Sequence, residues 1–368
     1  MVKPSGFDRP LMIVTVSLVI IGLLMIYSST MIVAKEKHGD SFFFFKKQLV
    51  WLLLSVAVAT LVAHHRKPYY LDPRVVWTAL GLTLCTLLLV FFTGRINNTY
   101  RWIRVFGFSI QPSEIAKVVT VLYLAFTLSR KAGEINQLRT LCQVLLPIGV
   151  IELLILKEPD FGNFLLILIV TGAMLFIAGL AWRYFALAAV FLIPMLFLLI
   201  RSDPLRTQRM LGFLNPEAHA STFNFQALQS VYAIGSGGLL GHGIGNSTQK
   251  LFFLPYAYTD FIYAIIGEEL GLLGALTVVI LFVVFFARGL RIARHSDHIH
   301  TQLLGIGLTF LVVCQALINI SVTIGLFPTK GIPLPFISSG GTSLLASLVI
   351  TGILLNISRL RKEEFNHD

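Results

Sequence analysis

Residues 262–287 read IYAIIGEELGLLGALTVVILFVVFFA, and they decide the fold. From Leu270 to Ala287 this stretch carries no charged side chain. A membrane-crossing helix needs about 20 predominantly apolar residues. Lipid offers the backbone no water to bond, so such a run must satisfy its own amides as a helix. Comparable runs lie at about 11–33, 48–63, 75–93, 112–129, 141–156, 161–179, 184–200, 302–324 and 341–358. The composition agrees: 56% of 368 residues are hydrophobic, 13% are charged, and mean hydropathy is +0.81. The expected fold is an all-α integral membrane protein, one polytopic domain over 1–368 with about ten transmembrane helices. A long extracytoplasmic loop at about 201–261 is expected between spans 7 and 8. The first run follows Lys3 and Arg9 without a small-residue cleavage site, and it reads as a retained anchor. Cys85, Cys142 and Cys314 all fall in apolar runs, which points to neither disulfides nor a zinc site.

Charge sets the orientation. Of the 29 Lys and Arg, 15 fall in the loops that are cytoplasmic if the N-terminus is inside. The positive-inside rule then places both termini in the cytoplasm. The opposite face remains basic, with Arg95, Arg101, Arg104, Arg201, Arg206, Arg209, Lys250 and Lys330. Two readings fit those residues. Long cationic side chains reach for lipid phosphates, and a positive cavity suits an anionic substrate such as a lipid diphosphate.

Immediately before the opening stretch stands Leu254-Pro255-Tyr256-Ala257-Tyr258-Thr259-Asp260-Phe261. An acid at the membrane boundary is costly unless it is used. Asp260 either balances the positive end of the helix dipole or acts chemically, and it is the candidate catalytic residue. Upstream, Gly235, Gly237, Gly238, Gly241, Gly243 and Gly245 precede Gln249 and Lys250. That density suits either a phosphate-cradling nest of amides or a re-entrant turn, and it matches no nucleotide-binding motif. Residues 223–234 have the pattern of a short amphipathic helix lying on the membrane surface. Glu268 and Glu269 are expected to bond between helices, and Glu152 to be the buried partner of another polar group.

Three other segments carry polar groups. Asn97 to Ile103 reads as an interfacial segment anchored by Trp102. Gln111-Pro112-Ser113-Glu114 opens a helix, with proline in the first turn and an acid at the positive end. Glu114 and Lys117 share a helical face and form either a neutralising pair or part of a cationic site. Lys157-Glu158-Pro159-Asp160-Phe161-Gly162 is a tight turn set by its proline and glycine; its acids either shape it or hold a neighbouring Arg or a metal ion, and the structural role is expected. Residues 325–343 hold three prolines and four glycines. Non-helical backbone at membrane depth must be buried in protein or line a watery cavity. Lys330 sits at its apex, followed by Ser338 and Ser339.

These segments together resemble the SEDS family (shape, elongation, division and sporulation), the membrane peptidoglycan polymerases of bacteria. The resemblance rests on Arg101-Trp102-Ile103, Gln111-Pro112-Ser113-Glu114 with Lys117, Glu158-Pro159-Asp160-Phe161-Gly162 and Gly243-Ile244-Gly245-Asn246-Ser247. It extends through Gln249-Lys250, Leu254-Pro255, Thr259-Asp260-Phe261, Gly267-Glu268-Glu269-Leu270-Gly271 and the loop from Pro328 to Ser343. The pattern resembles division-type more than elongation-type members. It departs from the family at Tyr256, Tyr258, Phe252, Ser339 and Asn98-Thr99-Tyr100, where other residues are usual.

The resemblance implies a glycosyltransferase of the bacterial inner (cytoplasmic) membrane that polymerises lipid II into β-1,4 glycan strands at the outer face, with inversion. It implies Asp260 as the essential acid and a class B penicillin-binding protein as partner. Arg101, Lys117, Lys250, Lys330, Glu114, Gln249, Ser338 and Ser339 are the candidate substrate-binding residues. A divalent cation such as Mg or Mn is a possible cofactor, although no ligand cage is visible. Contacts are expected with lipids and not with nucleic acid. The alternatives are an elongation-type polymerase, a lipid II flippase, or a noncatalytic scaffold for the penicillin-binding protein.

Overall fold

Aspartates mark where several helices begin. Asp8 accepts a hydrogen bond from the Leu11 amide at 2.9 Å and caps α1 (Arg9–His38). Asp72 caps α3 (Pro73–Leu89), which follows α2 (Phe43–His64). In both α1 and α3 a proline occupies the first turn, where no amide hydrogen is needed. The computed structural model describes residues 6–65, 69–94, 99–105, 107–215, 225–250, 254 and 257–364, with Val105 and residues 361–364 described by backbone alone.

A two-stranded antiparallel hairpin, β1 (Ile103–Val105) and β2 (Phe108–Ile110), stands where sequence indicated only an interfacial segment. The chain continues through α4 (Pro112–Lys131), α5 (Leu138–Lys157), α6 (Phe161–Ile177) and α7 (Trp182–Arg201). The long connection holds α8 (Pro204–Leu214) and α9 (Phe225–Ser236) before α10 (Ile262–Arg294), α11 (Ile299–Thr323) and α12 (Gly341–Glu364). Each of the ten apolar runs is thus a helix. Among the described residues, nine helices are long and apolar enough to cross a membrane, and α6, with 17 residues, is a tenth, shorter apolar helix.

The central helix is α4, buried on nearly every side among α3, α6, α11 and α12. At the other extreme α7 has no buried residue and packs chiefly on α8. The tightest pairing joins α2 to α12, where a Cβ on Gly352 would come within 2.6 Å of the Ala59 carbonyl. Close backbone approach through a small residue is how helices gain contact where lipid supplies no hydrophobic drive. Helix α9 is not a free surface helix. It packs against α10 and α11, and its Ser230 hydroxyl donates to the Thr323 carbonyl at 2.8 Å.

The stretch that announces the fold is itself broken. Gly271 has φ 66° and ψ −165°, so α10 is two helical pieces. The carbonyls of Glu268 and Glu269 accept from the amides of His242 (3.0 Å) and Gly243 (2.9 Å), and the Leu272 amide donates to Gly238 at 2.9 Å. A buried break must pair its freed backbone groups, and the glycine-rich segment supplies the partners. Gly241 has φ 77°, and a Cβ there would lie 2.2 Å from the Glu269 carbonyl. Of the two sequence readings, the phosphate nest is therefore corrected to a structural re-entrant turn, because those amides are already used. Glu152 is also corrected. Its carboxyl is buried with no hydrogen-bond partner among the described residues.

Candidate active site

Asp260 lies in the turn that leads into α10, and the loop between α11 and α12 holds that turn. Ser338 donates its hydroxyl to the Thr259 carbonyl at 2.5 Å, and the Ser339 amide donates to Tyr258 at 3.0 Å. Asn319 on α11 donates to the carbonyls of Asp260 (2.8 Å) and Ile332 (2.7 Å), joining turn and loop. Gln315, one turn away, donates to Pro333 at 2.8 Å. These bonds fix the backbone, and among the described residues none donates a hydrogen bond to the Asp260 carboxylate. A Cβ on Gly331 would sit 3.1 Å from its Oδ2, so glycine at that position keeps the acid uncovered.

The turn between α5 and α6 forms the opposite wall. Asp160 caps α6, and its Oδ2 accepts from Gln111 (2.9 Å), Ser113 (3.0 Å) and Asn163 (2.8 Å). The guanidinium of Arg101 is aimed by two carbonyls of this turn, with Nε 3.2 Å from the Glu158 oxygen and Nη2 on that of Pro159. Phe161 follows, and its ring carries two cations: Lys330 Nζ at 3.5 Å from the centroid and Arg206 Cζ at 5.1 Å. Such cation–π contacts are worth about 0.5–2 kcal/mol. Arg206 is further oriented by Asp203 at 3.1 Å, the acid that caps α8.

Electrostatics ties these groups into one site. Burial pushes the Asp260 carboxyl up to about 7; Arg101 and Arg209 oppose the rise and Asp160 adds to it. Burial, reinforced by Arg206 and Arg209, brings Lys330 down to about 7, with Asp160 opposing. Burial and Arg101 also lower Arg209, against the pull of Asp260 and Asp203. The buried Glu158 carboxyl rises to about 8 through burial and Asp160, with Arg101 opposing. The centre is thus an acid poised near neutrality beside Arg101, Arg206, Arg209 and Lys330. It can exchange a proton at one point and bind an anion at another.

The sequence candidates divide into those at this centre and those in networks of their own. Asp260, Arg101 and Lys330 come together, and Ser338 and Ser339 support the acid's turn. Lys117 pairs with Glu114 at 2.9 Å, both 2% exposed, and donates to Gln315 at 2.7 Å, which in turn grips the Pro333 loop. Lys250 pairs with Glu269 at 2.7 Å and donates to Ser28 at 3.2 Å. The Gln249 amide reaches Glu268 at 3.4 Å, and the Gln249 side-chain oxygen is buried without a partner among the described residues. Lys250 and Gln249 therefore belong to the break in α10. Tyr256, Phe252, Asn97, Asn98 and Arg95 lie outside the described residues.

Sequence reading placed Arg206 and Arg209 only among the basic residues of the outer face and Phe161 only in a turn motif, selected none of them as site residues, and did not name Asn319. The signal for the first two was present: Asp203-Pro204 starts a helix, and residues three apart on it share a face. Among the described residues no three His, Cys, Asp or Glu side chains converge as metal ligands. Asp160, the acid coupled to Asp260, already has its Oδ2 occupied by three donors.

The comparisons with known proteins are consistent across sequence and structure. The pattern of the FtsW, RodA and SpoVE family, described as "Cell cycle protein", matches residues 9–363. A probable peptidoglycan glycosyltransferase FtsW of Trichlorobacter lovleyi is 38% identical over 361 residues, covering 96% of this chain and 93% of its own. The stage V sporulation protein E of Bacillus subtilis is 37% identical over 366 residues, covering 97% and 98%. A chain of a solved peptidoglycan synthase complex, described in terms of coordinated polymerization and crosslinking, superposes with TM-score 0.79 at 25% identity, covering 97% and 98%. The rod shape determining protein RodA of Thermus thermophilus shares the fold at TM-score 0.69 and 24% identity.

Proposed function

Because this chain belongs to the cell cycle protein family of FtsW, RodA and SpoVE, we propose that Asp260 is the general base of a peptidoglycan glycosyltransferase acting in cell division. The observation that carries the assignment is the juxtaposition of one near-neutral carboxylate with Arg101, Arg206, Arg209 and Lys330. The substrate is lipid II, a disaccharide peptide on undecaprenyl diphosphate. The acceptor's sugar hydroxyl oxygen attacks the donor's anomeric carbon, and Asp260 takes the hydroxyl proton. The anomeric carbon–oxygen bond to the diphosphate breaks on the opposite face, and the lipid diphosphate leaves with the electron pair. Inversion from an α-linked donor gives the β-1,4 bond.

The cations act where negative charge grows. Arg101 and Arg206 are held in place by carbonyls and by Asp203, so they need no reorganisation as the diphosphate departs. The polymerase works in the bacterial inner membrane with the site at its outer face, both termini cytoplasmic, and a class B penicillin-binding protein as partner. The family's solved synthase complex supports the last point. The test is glycan synthesis from purified lipid II, alone and with the partner protein. Wild type forms strands, while Asp260→Asn forms none yet still binds lipid II and elutes as a folded protein. Undiminished synthesis by Asp260→Asn overturns the base assignment. Lipid II transport into vesicles without strand formation would favour a flippase instead.

A further inference from the structure

A cavity adjoins the Asp260 turn through Tyr258 and Ser339. It has a volume of about 160 Å³ and is lined by aromatic side chains (Phe44, Trp51, Trp102 and Tyr258) together with Gln48, Ser109, Ser339 and Lys47. Two of these belong to the catalytic loops. Tyr258 stands two residues before Asp260, and the Ser339 amide donates to the Tyr258 carbonyl at 3.0 Å. The Phe44 and Tyr258 rings lie 5.3 Å apart. Trp51 is wedged between Phe108, 5.4 Å away in an edge contact, and Gly341, where a Cβ would strike its indole at 2.1 Å. The walls of this cavity are thus packed in place.

The informative residue is Gln48. It is 3% exposed, and its side-chain amide has no hydrogen-bond partner among the described residues, although it lines the cavity. A ligand in the cavity can supply the donor and the acceptor that this amide lacks. Aromatic walls with one inward amide match the chemistry of an N-acetylated pyranose. Its C–H faces pack on rings, and its acetamido group pairs with a carboxamide. The exposed Lys47 at the mouth adds a cation suited to an acidic substituent on the sugar.

We propose that this cavity is a carbohydrate subsite, holding an N-acetylamino sugar ring of the glycan next to the ring that reacts at Asp260, with Gln48 reading its acetamido group. The inference rests on the glycosyltransferase reading and adds where the strand lies. The strand runs from the acid toward α2 and the hairpin, and the diphosphate lies toward α6 and α8. Gln48 touches bound sugar and no reacting atom, so its loss weakens retention of the growing strand more than formation of a bond.

The experiment compares wild type with Gln48→Leu and Gln48→Asn in two assays, after thermal melts show each variant folded. One assay measures strand length from lipid II. The other measures binding of N-acetylchitotetraose to the detergent-solubilised protein. One neutral hydrogen bond corresponds to about a threefold to tenfold change in affinity. Gln48→Leu is expected to shorten strands and weaken tetraose binding by that factor, while the rate of the first coupling stays within twofold. Unchanged strand length and unchanged binding would overturn the subsite. If wild type makes no strands, the glycosyltransferase reading fails separately, and tetraose binding decides the subsite: Gln48-dependent binding sustains it, and none refutes it. Should Gln48→Leu not fold, Gln48→Asn, which withdraws the amide by one methylene, carries the same comparison.

Discussion

Replacing Lys330 by arginine should remove one limb of the pH–rate profile and leave the other. Asp260 must be deprotonated to take the acceptor's proton, and burial sets its value at about 7. Lys330 must be protonated to stabilise the departing diphosphate, and burial with Arg206 and Arg209 also brings it to about 7. The two requirements oppose each other as pH rises. At neutrality only about a quarter of the free enzyme holds both groups in the productive state. Two pH units either way, the productive fraction falls to about 1%, because one or other group is about 99% in the wrong form. The profile of kcat/KM is therefore a narrow bell centred near 7, and its apparent values belong to the coupled pair.

Arginine stays charged across this range. In Lys330→Arg the acid limb persists and the alkaline limb becomes a plateau, so kcat/KM at pH 9 stays near its maximum instead of dropping about 25-fold. Arg209→Gln provides the converse check. Arg209 lowers both Asp260 and Lys330, so its loss moves both limbs to higher pH. The assay is the initial rate of strand formation from labelled lipid II at subsaturating concentration, from pH 5 to 9, in one detergent at constant ionic strength. A wild-type profile that is flat from pH 5 to 8, or an alkaline limb that survives in Lys330→Arg, would refute the assignment of these two groups.

Two further outcomes follow from the break in α10. Lys250→Met leaves the Glu269 carboxylate buried without its cation, a loss of about 3–5 kcal/mol, so the melting temperature and folded yield in detergent should fall sharply, whereas Lys330→Met should melt near wild type. Gly241→Ala should misfold or fail to accumulate in the membrane, since its φ of 77° and the Glu269 carbonyl 2.2 Å from the new Cβ leave no room to relax; a normally expressed, active Gly241→Ala protein would show that the glycine-rich turn is not locked to the break.

The helices were legible because each depends on its own residues. An apolar run of sufficient length must be helical in lipid, wherever its neighbours lie. The capping aspartates and first-turn prolines are equally local, and Asp203-Pro204 marks α8 as plainly as Asp72-Pro73 marks α3. The break at Gly271 was hidden for the opposite reason. A glycine within an apolar run signals a break only when a partner for the freed carbonyls is known, and here the partner is the segment at Gly238–Gly243.

The cations of the site show the same division, and it bears directly on function. Lys250 and Lys330 are alike in sequence, each a lone lysine among apolar or glycine-rich neighbours, whereas Lys117 has Glu114 one helical turn before it. What separates them is the carboxylate each meets in space. Lys117 has Glu114, Lys250 has Glu269, and both pairs are almost fully buried. A cation already neutralised has little to offer a diphosphate, since binding would first have to break a buried pair. Lys330 instead lies on the Phe161 ring with two arginines nearby, so its surroundings disfavour its charge until an anion arrives. The distinction rests on contacts such as Lys250 with Ser28, 222 residues apart, which no local pattern encodes. By the same reasoning Arg206 and Arg209 become functional candidates. They enter the site only because α8 folds back on the α5–α6 turn and sets Arg206 over Phe161. An anion-binding centre is therefore assembled from cations without a buried carboxylate partner, Arg206 included, since its pair with Asp203 is partly exposed.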